Sequence, residues 1–203
     1  YSGNQKFRLY YRHTDAVFWE VTQFDFLEGR PYTEQDMAQN AFVVVIDDSV
    51  RERYFGKNAS AVGKTIEIEN VVYHVAGVVK GVPLIRFQTT ANVWMPLNTL
   101  KYDLNDPQYN GEFSALILPK PDKTIADVEK EYAEVVARIP TQDHEMDKII
   151  SHAGSYVALF SRMLLSDGEA GRTGTFFLLL SVFALLFMLI PALNLINLNI
   201  SRI

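Results

Sequence analysis

The sequence predicts a mixed α+β domain that is followed by a C-terminal transmembrane helix. Two runs, AFVVVI at 41–46 and VVYHVAGVV at 71–79, have the β-branched residues that are typical of strands. From Ile125 to Ile139 apolar residues recur three or four positions apart, as in an amphipathic α-helix. From Thr173 to Ser201 the chain contains no Asp, Glu, Lys, Arg or His, and this run predicts the membrane helix.

The composition limits the class of protein and its partners. The chain has 203 residues, of which 48% are hydrophobic and 21% charged, and this balance fits a globular domain rather than a disordered one. The formal net charge of −5 and the pI near 5.4 argue against a nucleic-acid partner, which needs a basic surface. There is no cysteine, so disulfides and thiolate metal sites are excluded.

Short elements and turn signals alternate through the first part of the chain. KFRLYYR at 6–12 alternates as a strand does. An aromatic stretch follows it, with Phe18, Trp19, Phe24 and Phe26. The chain then turns at Gly29 and Pro31, and Thr33 with Asp36 has the spacing of a capping box, which predicts a short helix.

The middle of the chain predicts a strand, a helix and a hairpin. AFVVVI is a continuous β-branched run, which is typical of a buried strand. Asp47 or Asp48 can cap the helix that follows, and Gly56 ends it. TIEIE at 65–69 and VVYHVAGVV predict two strands joined tightly at Glu69–Asn70.

The second half is predicted to contain one strong soluble helix among weaker elements. The amphipathic helix can be capped by Thr124 with Asp127, and Pro140 closes it. The other predicted elements are extended segments at 82–87 and 91–97, a loop at 103–111, a strand at 113–119, a weaker helix at 145–165 and a glycine-rich hinge at 166–174.

The run GKNASAVGKT at 56–65 ends like a phosphate-binding loop. Such a loop needs G-x-x-x-x-G-K-[ST] between a strand and a helix. Counting back from Gly63, the first glycine would stand at position 58, where this chain has Asn58. The run also leaves a helical pattern and enters TIEIE, so we predict a helix-to-strand turn and no nucleotide site.

No group of side chains has the pattern of an active site. The four histidines are His13, His74, His144 and His152. They lack the close spacing of metal ligands, and the chain has neither a G-x-S-x-G motif nor a thiol. Asp143, Glu145 and Asp147 cluster at a predicted helix start, where acids favour the helix dipole. We therefore predict no catalytic, cofactor-binding or metal-binding residues.

The C-terminal apolar run is long enough to cross a membrane. Phe176 to Ile190 is apolar except for Ser181. At a rise of about 1.5 Å per residue, Phe176 to Leu195 covers about 30 Å, which is the thickness of a bilayer's hydrocarbon core. A buried core helix is the alternative, but such a helix normally has a polar stripe, and this run is apolar on every face.

Polar residues and a proline mark the end of this run. Pro191 removes one backbone donor and frees the carbonyl of Phe187, so a kink or the end of the helix is expected there. Asn194, Asn197 and Ser201 then fall on one face. They indicate either a helix that emerges among lipid headgroups or a polar seam against neighbouring helices.

Several longer strings together resemble a known family. They are F-D-F-L-E-G-R-P-Y-T-E-Q-D at 24–36, A-F-V-V-V-I-D-D-S at 41–49, R-Y-F-G-K-N-A-S-A-V-G-K-T-I-E-I at 53–68 and Y-H-V-A-G-V-V-K-G-V-P at 73–83. In this order they resemble the MacB-like periplasmic core domain of bacterial ABC-transporter permeases. The string F-A-L-L-F-M-L-I-P-A-L-N-L-I-N-L-N-I-S-R-I at 183–203 resembles the start of the FtsX-like permease domain.

The resemblance implies an architecture and a set of boundaries. Residues 1–41 and 112–171 would form a porter-like α/β subdomain, 42–111 an inserted mostly-β subdomain, and 173–203 the transmembrane helix. A first transmembrane helix and a first porter strand would precede Tyr1. The residues within these strings for which we expect structural or mechanical roles are Gly29, Arg30, Gly56, Gly63, Gly77, Pro191, Asn194 and Asn197.

The resemblance also implies a function, in which the chain transmits force and does no catalysis itself. ATP would be hydrolysed by a separate cytoplasmic domain or subunit, and the chain would couple that cycle to export or extraction of a substrate from the periplasm or outer leaflet. The implied partners are this ATPase, a second permease copy, membrane lipid and a periplasmic adaptor or substrate protein. The implied location is the bacterial inner membrane, with residues 1–171 in the periplasm.

Two other classes of protein remain open at the level of sequence. One is a sensory or regulatory ectodomain, either a ligand sensor or an FtsX-type activator of cell-wall hydrolases. The other is a soluble protein that buries the apolar run as a hairpin helix. The segments that flank the chain in its gene would separate the first class from a permease, because a permease continues into two further hydrophobic spans.

Overall fold

The structure, a computed structural model, describes residues 8–100, 113–140, 149, 151–165 and 173–200, and the side chains of the last range as far as Asn194. Three predicted elements lie wholly or partly outside the described residues. They are the loop at 103–111, most of the hinge at 166–174, and residues 145–148 and 150 of the helix predicted at 145–165. The chain divides into two compact units, Tyr1–Leu118 and Pro119–Ile203.

The first unit is built on a six-stranded mixed sheet. Its strands are β1 (Tyr11–Thr14), β2 (Phe26–Gly29), β3 (Val43–Asp47), β4 (Thr65–Ile68), β5 (Val71–Val79) and β6 (Val93–Pro96). The strand order is β1-β6-β3-β5-β2, and β4 pairs with the first half of β5. The pairs β1–β6 and β3–β5 are parallel, and the other pairs are antiparallel. The mixed α+β class predicted from sequence is confirmed.

Helices connect the strands and make up most of the described part of the second unit. They are α1 (Val17–Thr22), α2 (Glu34–Ala38), α3 (Asp48–Phe55), α4 (Ile125–Val136), α5 (Tyr156–Leu165) and α6 (Thr173–Ile200). Both predicted capping boxes are confirmed: Thr33 and Asp36 cap α2, and Thr124 and Asp127 cap α4. Asp47, the last residue of β3, caps α3 through the backbone N–H of Val50 at 2.7 Å.

The core of the first unit covers both faces of the sheet. Val44 and Ile46 of β3 belong to one buried cluster, with Ile66 and Val75. Val45 points to the opposite face and belongs to a second cluster, which also contains Trp19, Tyr32 and Trp94. A strand that is buried on both faces has a continuous apolar run rather than alternation, which explains the sequence of β3.

The hairpin between β4 and β5 is as tight as the sequence predicts. Glu69 and Asn70 join the two strands, with φ of 50° and 64°. Two successive positive φ values are those of a type I′ turn, whose twist matches that of the flanking strands. Asn adopts a positive φ at little cost. Glu rarely does, so at Glu69 the tight turn of the hairpin imposes this conformation.

Several predicted elements are wrong or displaced. Residues 113–119, expected to be a strand, have no assigned strand, and 82–87, expected to be extended, contains a 3₁₀ turn at Leu84–Arg86. Sequence patterns did not predict α1 or β2. The amphipathic helix ends at Val136, about one turn before Pro140. Short elements of four to six residues depend on their tertiary neighbours, and local patterns do not report those neighbours.

The sheet crosses the boundary that the resemblance places at residue 42. Strands β1 and β2 come from the range 1–41, and they pair with β6 and β5, which come from 42–111. The division of the chain into two compact units falls between Leu118 and Pro119. The subdivision into porter-like and inserted parts stays a prediction.

Candidate functional site

Two glycines allow β2 and β5 to approach closely. Gly29 has φ +68°, and a Cβ atom at this position would lie 2.2 Å from the carbonyl oxygen of Ala76. A Cβ at Gly77, its partner in the sheet, would lie 2.5 Å from the carbonyl oxygen of Arg30. The N–H of Arg30 donates to Ala76 O at 3.1 Å, so the backbones are held together where the glycines meet. Any larger residue would separate the strands.

Arg30 leaves this junction and pairs with the first turn of α2. Its Nη1 lies 2.7 Å from Oδ2 of Asp36, and its Nη2 lies 3.2 Å from Oδ1. The same carboxylate accepts the backbone N–H and the hydroxyl of Thr33, both at 2.8 Å. The Arg30 guanidinium and the Thr33 donors hold the pKa of Asp36 well below its ordinary value. The mechanical role predicted for Gly29, Arg30 and Gly77 stays a prediction, but the three lie at one junction.

This pKa shift predicts how acid changes the stability of the first unit. The folded pKa of Asp36 is depressed, so its contribution is complete above its unfolded value of 3.8 and is lost as pH falls towards the folded value. The side chain of Arg30 is 57% exposed, so we expect the pair and the cap together to contribute only about 1–2 kcal/mol. Asp36→Asn should therefore unfold more easily in urea at pH 7, with a difference from the parent that shrinks below pH 3.8.

Glu34→Gln is the matched control for this experiment. Glu34 is an exposed acid in the same first turn of α2 and has no hydrogen bond to Arg30 or Thr33 among the described residues. Its replacement should change stability by less than about 0.5 kcal/mol at either pH. A constant difference between Asp36→Asn and the parent down to pH 2 would contradict the assigned pKa direction.

The run at 56–65 forms a helix-to-strand turn, as predicted. Gly56 ends α3, its N–H donating to Glu52 O at 3.2 Å, and Gly63 adopts φ +79° before β4. The turn is fastened to Glu28 of β2, whose Oε2 accepts the Ser60 hydroxyl at 2.8 Å and the Ala61 N–H at 3.1 Å. A carboxylate therefore accepts two donors of this turn, one hydroxyl and one backbone N–H.

Glu28 also binds α3, which fixes that helix to the turn. Its Oε1 lies 3.0 Å from Nη1 of Arg51. Partial burial opposes ionisation of Glu28, but the hydrogen bonds from Ser60, Arg51 and Ala61 outweigh it and lower the pKa. Glu28 was not among the residues predicted from sequence. Its neighbour Gly29 was, but the role of Glu28 follows only from its contacts with α3 and with the turn before β4, which are distant from it in the chain.

The three described histidines, His13, His74 and His152, do not come together as ligands. His13 on β1 is half-buried, and burial lowers its pKa, whereas the nearby Glu69 opposes that change. His74 on β5 and His152 are exposed, and His144, with the acids Asp143, Glu145 and Asp147, lies outside the described residues. Within the part of the chain that the structure describes, no three His, Asp or Glu side chains are placed to hold a metal ion.

Helix α6 has the length and the surface of a membrane span. Residues Thr173–Asn194 have a mean hydropathy of 2.8, and none of the most apolar window is buried. Leu179, Phe183 and Leu186 are 43%, 59% and 51% exposed. A soluble helix of this composition would be covered on most faces, so these exposures are those expected of a membrane span.

The proline in α6 does not end the helix. Pro191 lies inside a helix that continues to Ile200, so the alternative of a helix end at this residue is wrong, and the kink stays a prediction. Asn194 is exposed, and the side chains of Asn197 and Ser201 lie outside the described residues. The choice between a headgroup position and a polar seam stays open for these residues.

A compact mixed-sheet unit and a bare apolar helix are the parts of a membrane-anchored domain. The model of the MacB-like periplasmic core domain family matches residues 1–135, which is most of the chain. The chain belongs to this family. The family recognised in the sequence strings is thus confirmed, and the chain fits a membrane protein with a periplasmic segment.

Curated relatives place the family among ABC export permeases. The macrolide export ATP-binding/permease protein MacB of Pasteurella multocida is 34% identical over 99 residues, which are 49% of this chain and 15% of that protein. The pyoverdine export ATP-binding/permease protein PvdT of Pseudomonas fluorescens is 23% identical over 99% of this chain and 29% of that protein. The chain spans less than a third of the length of either relative.

Among solved structures, the periplasmic region of MacB from Actinobacillus actinomycetemcomitans is similar to this chain. The two have 27% sequence identity and a TM-score of 0.41, over 49% of this chain and 43% of that one.

Proposed function

We propose that this chain is the extracytoplasmic domain and one transmembrane helix of an ABC transporter permease. In this role it couples ATP hydrolysis in a separate cytoplasmic domain or subunit to the export or extraction of a substrate. The observation that carries the proposal is the family match over residues 1–135 next to a helix whose apolar window has no buried residue. A sensory ectodomain is not favoured, because the relatives are named as export permeases.

The proposed role of the chain is mechanical. The carboxylate of Glu28 ties β2 to α3 and to the turn before β4, and Arg30, the residue after β2, pairs with Asp36 of α2. These bonds would let the sheet and its helices move as one body when α6 is displaced. The proposed partners are the ATPase, a second permease copy, lipid around α6 and a periplasmic adaptor or substrate protein. The proposed location is the bacterial inner membrane, with residues 1–171 outside the cytoplasm.

The absence of cysteine from the chain makes this topology directly testable. Lys57→Cys, on an exposed turn, places a single thiol in the first unit, and Leu186→Cys places one in the middle of α6. In spheroplasts, a membrane-impermeant maleimide should label Lys57→Cys without permeabilisation and Leu186→Cys only in detergent. Labelling of Lys57→Cys only after permeabilisation would place the domain in the cytoplasm and contradict the proposal.

Coupling requires a second measurement in the whole transporter. A fluorophore on Lys57→Cys should change its emission when ATP is added to proteoliposomes that contain the ATPase. With an ATPase variant that binds but does not hydrolyse ATP, the part of the emission change that repeats with each hydrolysis cycle should disappear. If the emission is the same with and without ATP, the domain does not move with the cycle and the force-transmitting role is wrong.

The chain alone is expected to bind no ATP with saturation at millimolar nucleotide and to show no ATPase activity. The physical reason is that the turn at 56–65 lacks the first glycine of a phosphate loop and leads into strand β4 rather than into a helix. Calorimetry on the purified chain checks this, with the isolated ATPase as the positive control. A stoichiometric binding isotherm would show that the helix-to-strand turn accepts phosphate.

A further inference from the structure

A cavity of about 220 Å³ lies at one edge of the sheet in the first unit. Strand β1 is the terminal strand of the sheet, so one of its edges has no strand partner among the described residues. Arg12, His13 and Thr14 of β1 all line the cavity. Successive residues of a strand point to opposite faces, so a cavity that reaches all three runs along the free edge.

The walls of the cavity differ in polarity. Val17, Phe18 and Val21 of α1 and Leu97 give it an apolar side. Residues 113–116, which have no assigned helix or strand, complete the lining. A ligand that fits this space would therefore place an apolar group against α1 and polar groups towards β1.

Two charged side chains of the lining have no opposite charge beside them. Arg12 donates from Nε to Thr90 O at 3.0 Å and from Nη2 to Phe87 O at 2.6 Å, which holds the guanidinium in place. Within the described ranges its Nη1 has no acceptor, and no carboxylate lies within 4.0 Å of the group. The carboxylate of Asp15 accepts the N–H of Phe18 on one oxygen at 2.8 Å, and no described cation lies within salt-bridge distance of the other.

Neutral polar groups of the lining are similarly uncommitted. The imidazole of His13 and the amide of Gln88 are half-buried and have no hydrogen-bond partner among the described side chains and backbone. In the same unit, half-buried polar side chains such as Glu28 and Asn92 are bound to named partners. The lining of the cavity therefore contains polar groups whose hydrogen-bonding capacity a ligand could use.

We propose that this cavity binds a zwitterion with an apolar side chain, such as a free amino acid. Arg12 receives the carboxylate, Asp15 receives the ammonium group, and the apolar side chain packs against Val17, Phe18 and Val21. Each charge of the ligand would meet a side chain that has no opposite charge beside it, which offsets the cost of taking that charge out of water. The binding of such a ligand does not depend on the transporter assignment.

Three small molecules test the proposal on the full 203-residue chain in detergent. L-leucine has both charges, L-leucinamide has only the ammonium group, and 4-methylpentanoate has only the carboxylate. Tryptophan fluorescence reports binding, because the Trp19 ring lies 5.2 Å from that of Phe18 in the cavity wall and the chain has only two tryptophans. L-leucine should bind with saturation, and each singly charged analogue about tenfold more weakly, as expected for the loss of one charge-assisted contact.

A pair of matched variants assigns the ammonium contact. Asp15→Asn keeps an oxygen that can accept the Phe18 N–H but removes the charge. It should weaken L-leucine and L-leucinamide about tenfold and leave 4-methylpentanoate unchanged. Asp25→Asn makes the same change of net charge at an exposed residue that does not line the cavity, and it should change none of the three.

Each possible result of these binding experiments has a distinct meaning for the proposal. No saturable response to L-leucine in the millimolar range overturns the proposal. Equal affinity for all three molecules would mean an apolar cavity without charge recognition, and this also overturns it. An equal effect of Asp15→Asn and Asp25→Asn would indicate a long-range charge effect rather than a contact. If Asp15→Asn fails to fold, the comparison of the three molecules on the parent chain still decides the question.

Discussion

Gly29→Ala is expected to destabilise the first unit by about 2–5 kcal/mol, which is a large part of the stability of a small domain. Two effects combine at this residue. The backbone has φ +68°, where a residue with a Cβ costs about 1–2 kcal/mol. The new Cβ would also lie 2.2 Å from Ala76 O, so β2 and β5 must separate, at a cost of about 1–3 kcal/mol. Urea unfolding followed by tryptophan fluorescence measures the change.

Two further glycines separate the conformational cost from the steric cost. Gly63 has φ +79° and open space within 4 Å, so Gly63→Ala should show only the conformational part, about 1–2 kcal/mol. Gly77 has no positive φ, but its Cβ would lie 2.5 Å from Arg30 O, so Gly77→Ala should show the steric part alone. If Gly29→Ala costs no more than Gly63→Ala, the close approach of the two strands is not as the structure has it.

Removal of α6 is expected to convert a detergent-requiring protein into a soluble one. A chain that ends at Gly171 lacks the apolar run Phe176–Ile190, whose side chains are largely exposed. Taking about 15 such side chains out of water is worth on the order of 20–40 kcal/mol, at about 1.5–3 each, so the complete chain cannot leave them in water. Sedimentation should find the shortened chain monomeric or weakly associating, and thermal unfolding should be cooperative.

The complete chain provides the control for this truncation. Without detergent it should aggregate, and in detergent its unfolding midpoint should match that of the shortened chain. A molten or aggregated shortened chain would mean that α6 belongs to the folded core. Replacing Leu179 and Leu186 together with arginine tests the span itself, since each arginine near the helix centre costs about 2.5–3.5 kcal/mol of insertion. Such a variant should leave the membrane fraction in part, and full retention there would contradict the assignment.

Whether the sequence predicted a feature of the structure depends on how far apart in the chain the interacting residues lie. The caps of α2 and α4 are formed by residues three positions apart, and both were predicted. The β4–β5 hairpin was predicted for the same reason, since its turn is two residues long. By contrast, β1 pairs with β6 about 80 residues later, and no local pattern predicts which distant strand a short edge strand will join.

The same distinction between local and distant contacts applies to the candidate sites. Gly29 and Gly77 could be named from the family strings, but only the register of β2 on β5 shows that they face each other. Glu28 and the cavity along β1 were not predicted, because their partners come from α1, α3 and the segment 113–116. Tertiary contacts also decide why residues 113–119 have no assigned strand. A strand requires a neighbour for its backbone hydrogen bonds, and an alternating sequence pattern does not provide one.

The sequence alone determined the family, the mixed α+β class, the helix caps, the tight hairpin and the apolar helix α6, because each depends on the order of neighbouring residues or on local composition. Only the tertiary structure decided that strands on both sides of residue 42 share one sheet, that two glycines bring β2 and β5 together, and that Arg12 and Asp15 border one cavity. These features arise from contacts between residues far apart in the chain, whose formation depends on the packing of the whole unit rather than on any local preference.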